Sequence, residues 1–69
     1  MSKIIVFLNG KPRQISDTTT LSGLIKELNL DPKMILVEHN GKALLRTEWA
    51  GVSPRHGDRM EFVRVVAGG

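Results

Sequence analysis

Apolar residues along this chain fall into short runs with two different periods. Residues 3–8 read Lys-Ile-Ile-Val-Phe-Leu with both parities apolar, the pattern of a central strand covered on one face and partly on the other. Asn9-Gly10 follows and supplies the two positive-φ positions of a type I′ turn, so residues 11–15 are expected to return antiparallel to the first strand. Pro12 has no N–H to give to a ladder, which places this second strand at a sheet edge. After a polar loop, Leu21, Leu24, Ile25 and Leu28 recur at i, i+3, i+4 and i+7, one buried helical stripe. Thr20 is the expected N-cap. Gly23 weakens the first turns by about 1 kcal/mol relative to Ala, and Pro32 disfavours helix at Asp31, so the helix is short and ends near Asn29. Residues 34–39 form a second apolar strand, and Asn40-Gly41 repeats the hairpin signal before residues 42–45 turn back. Thr47 is expected to cap a single turn through Glu48, Trp49 and Ala50, with Trp49 anchoring it against the core. Ser53-Pro54 and His56-Gly57-Asp58 mark loop and turn, and residues 59–66 read as the last strand.

Two hairpins therefore flank one helix. If the final strand joins the first in parallel, it bridges the hairpins and lets the helix cover one face of a single mixed sheet. This is an α+β, β-grasp or ubiquitin-like arrangement of five strands, with a short helical turn before the last. It is expected to occupy residues 1–66 as one domain, with residues 67–69 as a flexible C-terminal tail.

The 69 residues leave room for a modest core only, since a chain this short buries about 60% of the surface its unfolded form exposes. With 41% apolar and 25% charged residues, the composition is that of a folded globular chain. No window approaches the roughly 20 apolar residues that span a bilayer, and Met1-Ser2-Lys3 opens straight into a strand, so no membrane association is expected and the localisation is read as cytoplasmic. The net charge of +3 is spread along the chain with acids interspersed. With one Trp, two Phe and no Tyr, the stacking platforms of a nucleic-acid binder are missing. The absence of cysteine removes disulfides, thiolate nucleophiles and cysteine-containing zinc sites. His39 and His56 are isolated, the carboxylates are scattered, and the glycines do not form a phosphate loop. No catalytic or metal-ligating set is expected, and no cofactor is expected to bind.

The C-terminus is different. A strand runs directly into Ala67-Gly68-Gly69, residues with almost no side-chain bulk. Such a tail can thread a narrow channel that a branched side chain would obstruct, and glycine takes whatever dihedrals the channel imposes. It would deliver the Gly69 carboxylate to an enzyme.

Residues 38–45 (Glu-His-Asn-Gly-Lys-Ala-Leu-Leu), Arg46-Thr47-Glu48-Trp49, the Gly57-Asp58-Arg59-Met60-Glu61-Phe62-Val63 strand entry and the closing Ala67-Gly68-Gly69 together resemble the ThiS family of thiamine-biosynthesis sulfur carriers. The likeness spans nearly the whole chain. It departs at Leu45, where the family typically has Pro before the Arg, and in a slightly longer first strand. The resemblance implies a carrier that is not itself an enzyme. An E1-like adenylyltransferase would join the Gly69 carboxylate to AMP using ATP, a sulfur-donor protein would displace AMP to leave a thiocarboxylate, and thiazole synthase would take the sulfur. The free carrier is expected to be monomeric.

Along the last strand, Met60 and Phe62 share one parity and are expected beneath the helix. Val63 and Val65 take the other, with Arg64 alongside and Val66 continuing toward the tail, and this strip is expected to dock the activating enzyme. Other outcomes of the same fold and terminus are a sulfur carrier for molybdopterin synthesis or tRNA thiolation, a modifier conjugated to lysines, and a plain ubiquitin-like interaction module.

Overall fold

The computed structural model describes residues 2–65. Its elements are strand β1 (Lys3–Leu8), strand β2 (Lys11–Ser16), helix α1 (Leu21–Glu27), a 3-10 turn at Pro32–Met34, strand β3 (Ile35–His39), strand β4 (Lys42–Leu44), a 3-10 helix at Arg46–Gly51 and strand β5 (Arg59–Arg64). The five strands make one mixed sheet in the order β2-β1-β5-β3-β4, with β1 and β5 parallel and all other neighbours antiparallel. This is the β-grasp arrangement expected from the element order, with Pro12 on the edge strand β2.

Both hairpins close as the Asn-Gly pairs require. Asn9 and Gly10 have φ of 50° and 82°, and Asn40 and Gly41 have 50° and 83°, the two positive values of a type I′ turn. The Thr20 side chain caps α1 by accepting from the Gly23 N–H at 3.1 Å. A Cβ at Gly23 would stand 3.3 Å from that same Thr20 oxygen, so the glycine leaves the cap its room. The helix closes at Leu28, and Asn29 at φ 57° turns the chain away, the left-handed exit that Asn tolerates.

Several boundaries differ from the sequence reading: β2 runs one residue further, to Ser16, β4 stops one residue earlier, at Leu44, and three others have a visible cause or consequence. The β3 strand begins at Ile35 because the Asp31 side chain caps a 3-10 turn through the Lys33 N–H at 3.0 Å, and this turn takes Met34. Thr47 is not a cap: the turn starts earlier, at Arg46, with Leu45 as its N-cap residue. There the Leu45 N–H donates to the Glu48 carboxylate at 2.7 Å while the Glu48 N–H returns to the Leu45 carbonyl at 2.8 Å, so the acid supplies what the cap side chain lacks. The β5 ladder ends at Arg64, although the Val65 N–H still reaches the Met34 carbonyl at 2.7 Å.

The core lies between α1 and one face of the sheet. Val6, Leu21, Leu24, Val37 and Met60 are fully enclosed, with Ile15, Ile25, Ile35 and Trp49 around them. Trp49 is 4% exposed and ties the 46–51 turn to the core, as its apolar area leads one to expect.

Candidate functional site

The chain enters its last residues from β5, and the structure shows how that strand is held. It is the central strand, between β1 and β3. Its entry is fixed by the turn at residues 55–58. The Asp58 carboxylate accepts from the Arg55 N–H at 2.8 Å, from the Asn40 amide at 3.2 Å and lies 2.7 Å from His39 Nε2. An ionised carboxylate can only accept, so His39 donates from Nε2. Burial of Asp58 pushes its carboxyl up, but the donors at Arg55, His39 and Asn40 together with the histidine charge outweigh it and hold the group below the usual aspartate range. The same turn is stitched to β1, with the Gly57 N–H on the Ile5 carbonyl at 2.7 Å, the Phe7 N–H on the Asp58 carbonyl at 2.8 Å, and the Ile5 N–H on His56 Nδ1 at 3.0 Å. Both histidines thus serve the architecture at the start of β5. Among the described residues no His, Cys, Asp or Glu group could hold a metal ion, and no helix is long and apolar enough to cross a membrane.

Further along, two asparagines of the hairpin turns reach over to β5. Asn9 Oδ1 accepts from the Phe62 N–H at 2.7 Å and its amide donates to the Phe62 carbonyl at 3.2 Å. Asn40 Oδ1 accepts from the Arg59 N–H at 2.8 Å, while the Asn40 N–H donates to the Arg59 carbonyl at 2.8 Å. The residues chosen for turn geometry therefore also fix the register of the last strand.

On β5, Met60 faces the core and Phe62 packs against it, as expected, and of the expected docking residues Val63 and Val65 lie on the outer face, 52% and 39% exposed. Arg64 does not share that face. It pairs directly with the buried Ile35, and residues opposite one another in an antiparallel ladder point to the same side. The place beside Val63 is taken instead by Leu36, its direct cross-strand partner, which is 62% exposed. Apolar residues at both parities of 34–37 are the signal that could have pointed to it, but parity alone does not say which residue lands next to Val63. Val66, Ala67, Gly68 and Gly69 lie outside the described residues, as does the boundary between domain and tail.

The comparisons converge on one family. The ThiS family model matches residues 6–69. A crystal structure of the thiamine biosynthesis protein (ThiS) from Geobacter metallireducens superposes with a TM-score of 0.84 at 26% identity, covering 96% of this chain and 100% of that one. A solution structure of a thiamine biosynthesis protein from the same organism gives a TM-score of 0.76 at 26% identity, covering 96% of this chain and 88% of that one. Among curated proteins, one named thiazole synthase from Paramagnetospirillum magneticum is 32% identical over 62 residues, 90% of this chain. Another of that name from Magnetococcus marinus is 33% identical over 64 residues, 93% of this chain. The chain spans only 19% and 20% of the length of these two relatives. Because the family model runs from β1 through the closing Gly-Gly pair and the superposition takes in almost the whole fold, the chain belongs to the ThiS family, whose matched structures are thiamine-biosynthesis proteins.

Proposed function

We propose that this chain is a sulfur carrier for thiazole formation in thiamine biosynthesis, and that the carrying group is the C-terminal carboxylate of Gly69. A carboxylate is a poor electrophile and must first be activated, so an E1-like adenylyltransferase couples it to ATP, releasing pyrophosphate and leaving Gly69 as an acyl adenylate. Sulfur supplied at the hydrosulfide level by a donor protein attacks the carbonyl carbon. The carbon–oxygen bond to AMP breaks, AMP leaves, and one carboxylate oxygen has been exchanged for sulfur without any net oxidation or reduction. Thiazole synthase takes the sulfur from the thiocarboxylate. In this scheme the carrier contributes a handle and recognition, and its partners contribute catalysis.

The observation that carries this reading is the extension of the family match through Gly68 and Gly69, placed directly after a central strand whose register is secured by four elements of the chain. The two relatives named thiazole synthase favour that recipient, since each contains within one longer chain a segment similar to nearly all of this one. The slim tail formed by Ala67 and Gly68 suits entry into a partner's active centre. The outward Val63, with Leu36 beside it and Val65 beyond, gives that partner an apolar surface to bind.

Intact mass after incubation with ATP, a sulfide source and the candidate adenylyltransferase tests the proposal. An ATP-dependent gain of about 16 Da, mapped to the C-terminal peptide and blocked there by alkylation, is the expected result of exchanging oxygen for sulfur at an activated acyl group. Methionine oxidation adds nearly the same mass and the chain has three methionines. A gain that is independent of ATP, or that maps to Met34 or Met60, overturns the assignment.

A further inference from the structure

We propose that the groove between the C-terminal half of α1 and the 46–51 turn is a second docking site, which takes an extended acidic segment of a partner protein by one aliphatic side chain flanked by carboxylates. It goes beyond the carrier function and uses neither the tail nor the outer face of the sheet.

The groove has a volume of about 630 Å³ and is open to solvent along one side. Ile25, Leu30, Pro32 and Trp49 supply apolar walls, and Lys26 and Arg46 bring positive charge to it. Neither cation forms an ion pair among the described residues, where the salt bridge present joins His39 to Asp58. The acid in the lining, Asp31, already accepts the Lys33 N–H at 3.0 Å as the cap of its turn. That bond leaves the Asp31 charge in place, so the two cations and one acid of the lining leave one net positive charge over an apolar surface. Trp49 lines the groove, with its indole Nε1 buried and without a hydrogen-bond partner among the described residues.

An occupant that answers these features has an apolar group for the walls and carboxylates for the cations. The openness decides between a free small molecule and a peptide. Small-molecule sites enclose most of their ligand, whereas a groove with one side open buries a side chain and leaves the chain that carries it in solvent. Because the groove lies on the helix side of the sheet, its occupant does not compete for Leu36, Val63 or Val65 on the opposite face.

The chain has a single tryptophan, so its indole N–H resonance reports on this groove alone. The test titrates the ¹⁵N-labelled full chain with an acetylated, amidated peptide of alternating Asp and Leu. Saturable movement of the Trp49 indole signal is expected, with affinity lower by about tenfold or more for the same peptide carrying Asn for Asp, and similarly lower for the Lys26→Glu/Arg46→Glu variant. Both replaced residues are exposed, and a Lys26→Gln/Arg46→Gln variant, showing a smaller loss in the same direction, guards against a folding defect. Equal binding of the Asn peptide, an unmoved indole at millimolar peptide, or shifts confined to Leu36 and Val63 would each overturn the proposal. So would 4-methylpentanoate moving the indole as far as the peptide at equal concentration, which would mark a small-molecule site.

Discussion

The Asp58 carboxylate shows how one side chain can hold a turn and a hairpin together. Burial pushes its ionisation up, while the Arg55 N–H, His39 and the Asn40 amide favour the charged form and prevail. A carboxyl whose folded value lies below its unfolded value of about 3.9 contributes stability that is fully present above that pH. That contribution is lost as pH falls through the lower, folded value. Asp58→Asn removes the charge but keeps an acceptor for one of the three donors. We expect it to lower the unfolding free energy at pH 7 by about 1–2 kcal/mol, the range for hydrogen bonds to a charged group once partial compensation is allowed. The deficit should shrink progressively as pH falls from about 4, where the unfolded chain takes up the proton, to the lower folded value, where the wild-type carboxyl also becomes neutral. Urea titrations of the two proteins at pH 7 and at pH 3 measure both deficits, and equal ones at the two pH values would show that shape, not charge, is what Asp58 contributes.

At the level of elements, the short parallel ladder between β1 and β5 is the junction on which the sheet turns, since it joins one hairpin to the other. It contains just the pairs Phe7↔Arg59 and Leu8↔Met60, after which β1 gives way to its turn. The Asn9 side chain then continues the ladder in place of a strand backbone, matching both the N–H and the carbonyl of Phe62. Asn9→Gly keeps the positive φ that the turn needs and deletes only this amide. The expected outcome is a loss of about 1 kcal/mol with faster hydrogen exchange at Phe62, while amides of the β3–β4 hairpin keep their protection. Unchanged exchange at Phe62 would contradict the role given to Asn9. The same residue marks how far the sequence could be read. Turn geometry at Asn9-Gly10 and Asn40-Gly41, the edge position of Pro12, the Thr20 cap and the helical stripe are local features, and each was legible from neighbouring residues. The second role of each asparagine joins positions 53 and 19 residues apart, and the His39–Asp58 pair spans 19, so these followed only from the strand register. Leu36 was hidden for the same reason: with residues 34–37 apolar at both parities, neither its outward side nor its partner Val63 could be read before the register was known. Thr47 was misplaced as a cap because Glu48 satisfies the Leu45 N–H from within the turn, and a hydroxyl at the start was not required.

Taken as a whole, the molecule separates its surfaces by task. The helix side carries the cationic groove, and the outer sheet face carries Leu36 and Val63 paired across β3 and β5, with Val65 beyond them toward the tail. An apolar outer face is not needed for the fold, because the core is complete on the other side of the sheet. Replacing half-exposed valines by serine should therefore change stability by less than about 1 kcal/mol. If the activating enzyme binds this face to receive Gly69, the Val63→Ser/Val65→Ser variant should lose about tenfold or more in kcat/KM for adenylation, equivalent to about 1.4 kcal/mol of binding in the transition state. Leu36→Ser should show a loss of the same kind, although it lies on a different strand, because it shares the patch through its pairing with Val63. Arg64→Ala should have a smaller effect, as that side chain belongs to the opposite face beside Ile35. Pyrophosphate release measured with each variant, together with thermal melts to verify the fold, separates recognition from stability. Should the valine and Leu36 variants be adenylated at the wild-type rate while Arg64→Ala is impaired, the activating enzyme grips the helix side, and the outer face must serve a different partner.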